Sequence, residues 1–159
     1  MKTNHNNAYK FKTIPKNGQS HTFFDLLPID WQASIVPFWD TYKETSTLYV
    51  IEAYNTVIGG GIVFSKCPPD VQYLADEAAK WFSNGYLYIG FLWISEEKRG
   101  KNLGAFWIDE LKRTLPGQKF WLLIEEKGLH DFYQKNGFSI VSSFSTQGQT
   151  EWLYAFHGK

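Results

Sequence analysis

The residues that decide the fold run from Tyr86 to Leu111, YLYIGFLWISEEKRGKNLGAFWIDEL. Tyr86–Ser95 is an aromatic and aliphatic run, too short to cross a bilayer and built from residues that favour strands. From Lys101 onward, Leu103, Phe106, Trp107 and Leu111 recur at helical spacing, with Asp109, Glu110 and Lys112 elsewhere around the helix. Between them lies Arg99-Gly100-Lys101-Asn102-Leu103-Gly104, a basic strand-to-helix turn. Glycine lets a backbone come close to a ligand, and a helix start offers unpaired N–H groups at the positive end of its dipole. Such a turn suits a phosphate or diphosphate. It is equally compatible with an ordinary connection, and it is not the dinucleotide fingerprint, because no G-x-G-x-x-G is present.

Upstream, the polar Met1–Asn7 is expected to fray. Tyr9–Ile14 alternates as a first strand should, and Pro15–Ser20 breaks it. Pro28 and Pro37 divide the aromatic segment that follows, predicting short helices near Ile29–Ile35 and Pro37–Glu44. Leu48–Ala53 and Val57–Phe64 read as a hairpin turned at Tyr54-Asn55-Thr56. Gly59-Gly60-Gly61 inside its second strand signals a bulge or a close approach by another backbone or ligand. Pro68-Pro69-Asp70 opens a helix with Val71, Leu74, Ala75, Ala78, Trp81 and Phe82 on one face, stopped at Asn84-Gly85. Downstream, Pro116-Gly117 ends the helix of the central unit, and Lys119–Ile124 is a further apolar strand. Leu129–Lys135 is a short helix capped at Asn136-Gly137, and Phe138–Phe144 and Glu151–Phe156 are terminal strands. The predicted order is β-αα-β-β-α-β-α-β-α-β-β. No linker or repeat divides residues 1–159, so one domain of the α/β (α+β) class is expected, its sheet carrying helices on both faces.

Composition narrows the function. The formal net charge is zero, which argues against a nucleic-acid-binding surface, and the local cluster Lys98-Arg99 with Lys101 suits a small phosphorylated ligand better than a polyanion. One cysteine, Cys67, cannot form a disulfide within the chain and fits a reducing compartment. The histidines at 5, 21, 130 and 157 lack ligand spacing, so no metal site is expected. Hydrolase-elbow and P-loop motifs are absent, as are signal, lipidation and membrane-length segments, and the expected location is cytoplasmic, with no membrane partner.

Two segments resemble motifs of the GNAT superfamily of acetyl-CoA-dependent N-acetyltransferases. Leu92–Gly104 is similar to its coenzyme-binding motif, a strand followed by Arg/Gln-x-x-Gly/Ala-x-Gly/Ala at a helix start. Arg99 and Gly104 match, while Asn102 stands at the middle glycine, where asparagine's tolerance of positive φ would keep the loop's shape. Leu129–Phe138 resembles the family's Ala-x-x-x-Tyr-x-x-x-Gly-Phe, with Leu129 in place of the alanine.

The resemblance implies a mostly antiparallel sheet of about seven strands, with a central parallel pair that splays to admit the pantetheine arm. It implies acetyl-CoA, or another acyl-CoA, held by Trp93, Ile94, Arg99, Gly100, Lys101, Asn102, Leu103, Gly104 and Glu126. Glu126 stands where the family often has an asparagine. An N–H near Trp93-Ile94 would polarise the thioester carbonyl, and Tyr133 would protonate the leaving thiolate. The histone-modifying branch carries its catalytic glutamate at the position of Tyr88, leaving Glu125, Glu126 or water as the base. The acceptor, a small-molecule or peptide amine, would meet Trp31, Trp39, Tyr42 and Glu125, with Phe38 and Trp152 as further aromatic walls. The helix from Pro69 to Ser83 is an addition to the simplest form of this fold: a surface helix, a wall of the acceptor pocket, or a contact in a homodimer. Direct attack of the amine is expected, since no activated nucleophile is visible. The alternative is a catalytically weak module that binds or senses acyl-CoA.

Overall fold

A computed structural model of the chain describes residues 8–158; Met1–Asn7, where fraying was expected, and Lys159 lie outside it. A single seven-stranded sheet carries the fold: β1 (Tyr9–Ile14), β2 (Ser46–Ala53), β3 (Thr56–Phe64), β4 (Tyr86–Ile94), β5 (Lys119–Ile124), β6 (Ser139–Thr146) and β7 (Gln149–Phe156). Their spatial order is β1-β2-β3-β4-β5-β7-β6. Every neighbouring pair is antiparallel except β4–β5. The β2–β3 hairpin turns through Tyr54 and Asn55 at φ 51° and 67°, the two positive values that match a turn to strand twist.

Six short helices or turns cover one face. They are α1 (His21–Phe24), α2 (Ile29–Ile35), α3 (Trp39–Tyr42) joined to α2 by a 3-10 turn over Val36–Phe38, a 3-10 turn over Pro69–Leu74, and α4 (Ala75–Ser83). The aromatic residues explain this layer: Trp39 meets Phe24 edge-on, Trp31 meets Phe91, and Trp81 and Phe82 pack on Trp121. The other face carries α5 (Leu103–Thr114) and α6 (His130–Lys135). Trp107 of α5 is fully buried, lies against Phe11 of β1 and donates its indole N–H to Tyr49 O at 3.0 Å. A Cβ on Gly61 would come within 2.8 Å of the Trp107 ring, so the glycine run on β3 admits an indole and neighbouring backbones.

The structure departs from expectation at four places. Helix α1 forms where no helix was predicted, and Pro37 is absorbed by the first turn of a 3-10 segment, where its missing N–H costs nothing. The segment after Pro68 begins as 3-10 and becomes α only at Ala75. Phe138 is withheld from β6 because its N–H caps α6 through Tyr133 O at 3.0 Å, with Gly137 left-handed at φ 92°.

Candidate active site

β4 and β5 pair over only Tyr86↔Lys119, Leu87↔Phe120 and Tyr88↔Trp121, although β4 continues to Ile94 and β5 to Ile124. The cause is a bulge. Against β3, Gly90 faces Ile62 but Trp93 faces Gly60, so β4 carries an extra residue, and Phe91 takes it up at φ 56°. A bulge bends and over-twists its strand, and here it turns β4 away from β5 to open a gap. Beyond the gap's start, Ser95 donates its N–H to Ile58 O on β3 at 2.8 Å. Alternation of the ladder then sends the N–H of Ile94 to the opposite side, the side that β5 would have filled. The Ile94 carbonyl on that side is taken by Arg99 Nε at 2.9 Å, and the Arg99 guanidinium lies 4.4 Å over the Trp93 ring.

The turn into α5 has the conformation its composition suggested. Asn102 is left-handed (φ 63°, ψ 28°) and Gly100 has φ 82°. The helix's first bond runs from Phe106 N to Asn102 O at 3.1 Å, so the N–H groups of Leu103, Gly104 and Ala105 have no intrahelical acceptor, and no side chain caps them. Open space surrounds Gly100, and Lys101 is exposed. Two residues behave differently from expectation. Arg99 folds back along β4 instead of standing before the helix start. Gly104 is a packing residue, since a Cβ there would come within 2.9 Å of Phe132 on α6.

Tyr133 sits on α6, 7% exposed, edge-on to Phe132 and Phe138 and against Tyr154 of β7. Its hydroxyl has no hydrogen-bond partner among the described residues, and burial pushes its pKa well above a phenol's ordinary value. It is therefore a proton-bearing group throughout the physiological range.

The residues expected at the acceptor end divide. Trp31 projects from α2 onto the bulged part of β4, 5.2 Å from the Trp93 ring. Trp39 is spent on Phe24, and Tyr42 donates its hydroxyl to Cys67 O at 2.7 Å while packing edge-on to Phe64. Those two residues hold the helical layer together. Glu125 and Glu126 follow the last residue of β5 and are exposed. Phe38 is 45% exposed on the 3-10 turn, and Trp152 lines a concavity with Lys127, His130, Asp131, Ile140 and Tyr154, away from the gap. A second concavity lies near the β1 edge, walled by Ile14, His21, Glu52 and Val57.

Sequence reasoning missed an acidic group beside Glu125. Burial, then Glu151 and Glu125, raise the Asp70 carboxyl to about 6, although solvent reaches it. Burial and then Glu125 also raise Glu151, whose carboxylate accepts a hydrogen bond from the Tyr73 hydroxyl. Burial first, and then the charges of Asp70 and Glu151, also raise the phenol of Tyr88 on the last paired rung of β4. Asp70 had the appearance of a helix-start residue after Pro69, and only the threading of β7 brings Glu151 to it. Among the described residues no group of three or more His, Cys, Asp and Glu side chains is arranged to hold a metal ion, and no helix is long and apolar enough to cross a membrane.

A sheet opened between two parallel strands by a bulge, with an uncapped helix start beside the opening, defines an acetyltransferase-type fold. The chain belongs to the acetyltransferase (GNAT) family, whose model matches residues 15–138. Its structure is similar to that of an IAA acetyltransferase from Bacillus cereus ATCC 14579 (18% identity, TM-score 0.64, covering 93% of this chain and 98% of the other). A GNAT family acetyltransferase from Elizabethkingia anophelis with acetyl-CoA bound is also similar (12%, 0.62, 94% and 98%). So is a GNAT-family protein from Desulfovibrio desulfuricans (11%, 0.70, 96% and 100%). Among curated proteins there is no significant match.

Proposed function

We propose that the chain is an N-acetyltransferase that moves an acetyl group from acetyl-CoA to an amine by direct attack. The observation that carries this is the β4–β5 opening with its uncommitted amides at both ends: Ile94 on the strand, Leu103 to Ala105 on the helix. The residues present fit the coenzyme. Amides from Gly100 to Ala105 would take its diphosphate, with Lys101 adding charge. The fold-back of Arg99 gives it the task of fixing Trp93 and Ile94, so that the Ile94 N–H stands where negative charge collects on the thioester oxygen. The coenzyme supplies an acyl group on a good leaving thiolate.

The proton balance assigns the remaining roles. The ammonium must lose a proton before its lone pair can form the C–N bond, and the nitrogen loses a second afterwards. Tyr133 gives up its proton as the C–S bond breaks, leaving free thiol, and recovers one of the two from solvent; the other is released. A tyrosine kept protonated by burial, with no protein acceptor for its hydroxyl, is suited to that step. Glu126, exposed beside the gap, would contact the pantetheine arm.

Titration with CoA tests the coenzyme site, and thiol release from acetyl-CoA over a panel of amines tests the chemistry. At a hundredfold excess over Kd the ligand should add about 2.7 kcal/mol of stability, a rise of several degrees in Tm. Stabilisation without thiol release for any amine would convert the assignment to an acyl-CoA sensor. No stabilisation would remove it.

A further inference from the structure

Tyr133 is carried by α6, a helix of 6 residues with no side-chain cap at its start. A helix this short has little stability of its own, so contacts with neighbouring elements fix how it is rolled about its axis. Those contacts fall on two faces. Toward α5, Phe132 packs on Gly104, and one turn later Lys112 donates to Asn136 O at 2.6 Å. Toward β7, the helix meets Tyr154, which is 1% exposed. The Tyr154 ring lies 6.1 Å from that of Tyr133, and its hydroxyl is hydrogen-bonded to Nδ1 of His130, one turn earlier on the same face. Tyr154 therefore touches both ends of the turn that holds Tyr133.

The two faces differ in kind. On the α5 face, ring packing and a backbone carbonyl do the holding, and neither depends on Tyr154. On the β7 face, a concavity walled by Lys127, His130, Ile140, Trp152 and Tyr154 lies beside the helix start. The bond between His130 and Tyr154, with the edge-on contact of their rings, ties the start of α6 to the sheet there. A tyrosine hydroxyl sits at the far tip of its side chain, so a slight roll of α6 is amplified at Tyr133. A misplacement of about 1 Å at a reacting group can cost about a hundredfold in rate.

We infer that Tyr154 is a positioning residue for acetyl transfer: bonded to His130, it sets the roll of α6 and so holds the Tyr133 hydroxyl at the leaving thiolate. This rests on the role proposed above for Tyr133 as the acid. Neither Tyr154 nor His130 exchanges a proton with the substrates in this scheme.

Thiol release from acetyl-CoA, with whichever amine of the panel reacts fastest, tests it. Tyr154→Phe keeps the ring and loses the hydroxyl. Its kcat should fall about tenfold, while KM for acetyl-CoA and the rise in Tm with CoA stay those of the parent. A bond that only stabilised the fold would lower Tm and leave kcat alone. His130→Asn and His130→Leu differ little in shape, but only asparagine can bond the Tyr154 hydroxyl. The asparagine variant should keep most of the rate, and the leucine variant should lose as much as Tyr154→Phe. The deciding measurement is the double variant. Because Tyr154 acts through Tyr133, adding Tyr154→Phe to Tyr133→Phe should cost nothing further. An unchanged kcat in Tyr154→Phe, equal rates in the two His130 variants, or losses that multiply in the double variant overturn the inference and leave the acetyltransferase standing. A parent that releases no thiol with any amine removes the acetyl-transfer reading, and this one with it.

Discussion

The two sides of the β4–β5 opening are built on different plans. The side proposed for the coenzyme comes from contiguous chain: strand, turn and helix from Tyr86 to Thr114, with Arg99 reaching back five residues to Ile94. The acidic side is assembled from the segment after Pro69, the end of β5 and the start of β7, with Tyr73 bonded to a residue 78 positions away. Local construction makes the turn and its free amides depend little on the rest of the chain. Non-local construction places selectivity on elements that can vary without disturbing the anchor.

The largest test of this contrast is Tyr133→Phe. If Tyr133 serves the coenzyme side chemically, kcat should fall about a hundredfold or more, the range expected for loss of a general acid. Tm and CoA stabilisation should hardly move, because the hydroxyl bonds no described protein group. Loss of stability without loss of rate would make Tyr133 a packing residue only.

Gly104→Ala comes next and separates ligand approach from packing within the turn. The added methyl would meet Phe132 at 2.9 Å, so α5 and α6 must part. Overpacking of this kind costs about 1–3 kcal/mol, and thermal melts should show it with or without CoA. Adding Phe132→Leu should recover most of the loss. If the pair fails to compensate and CoA binding alone is lost, Gly104 faces the ligand after all.

How much of this was legible in the sequence follows the same division. The local side was. Strand, turn and helix appeared at their expected places, and Asn102 adopts the left-handed conformation that its position demanded. The resemblance to one family rested on those residues and on Leu129–Phe138, and is matched by the family model over residues 15–138. The bulge at Phe91 was not visible, because a phenylalanine at φ 56° is imposed by the ladder and not by the residue. The triple glycine on β3 did point to a bulge: β3 carries an extra residue, Ile58, against β2 just before the glycines, and β4 carries another against β3. Trp39 and Tyr42 resembled pocket walls because exposed and core aromatics share one composition; their hydrogen bonds and ring contacts assign them to the helical layer. Asp70 and Glu151 could not be paired from sequence, since β7 lies beside β5 only in the folded sheet.

The smallest expected effect tests the non-local side without any ligand. Asp70 has its carboxyl raised from 3.8 to about 6 in the folded protein, by lost hydration first and by Glu151 and Glu125 after it. Below pH 3.8 both folded and unfolded chains carry the proton, and the group contributes its full favourable share. As pH rises through about 6 the folded chain is forced to ionise where ionisation is disfavoured, and that share is lost. Asp70→Asn does not titrate. It should therefore be more stable than the parent above pH 6, with the margin shrinking toward pH 4. Solvent reaches Asp70 and screens it, so the margin should be about 1 kcal/mol, or a few degrees in Tm. The side chains coupled to it (Tyr42, Cys67, Tyr73, Tyr88, Glu125 and Glu151) are all acids, and the hydrogen bond from its own backbone N–H, which lowers the shift, is outweighed by burial. A margin that stays constant from pH 4 to 8 would mean that Asp70 is simply solvated and that no acidic group has been assembled.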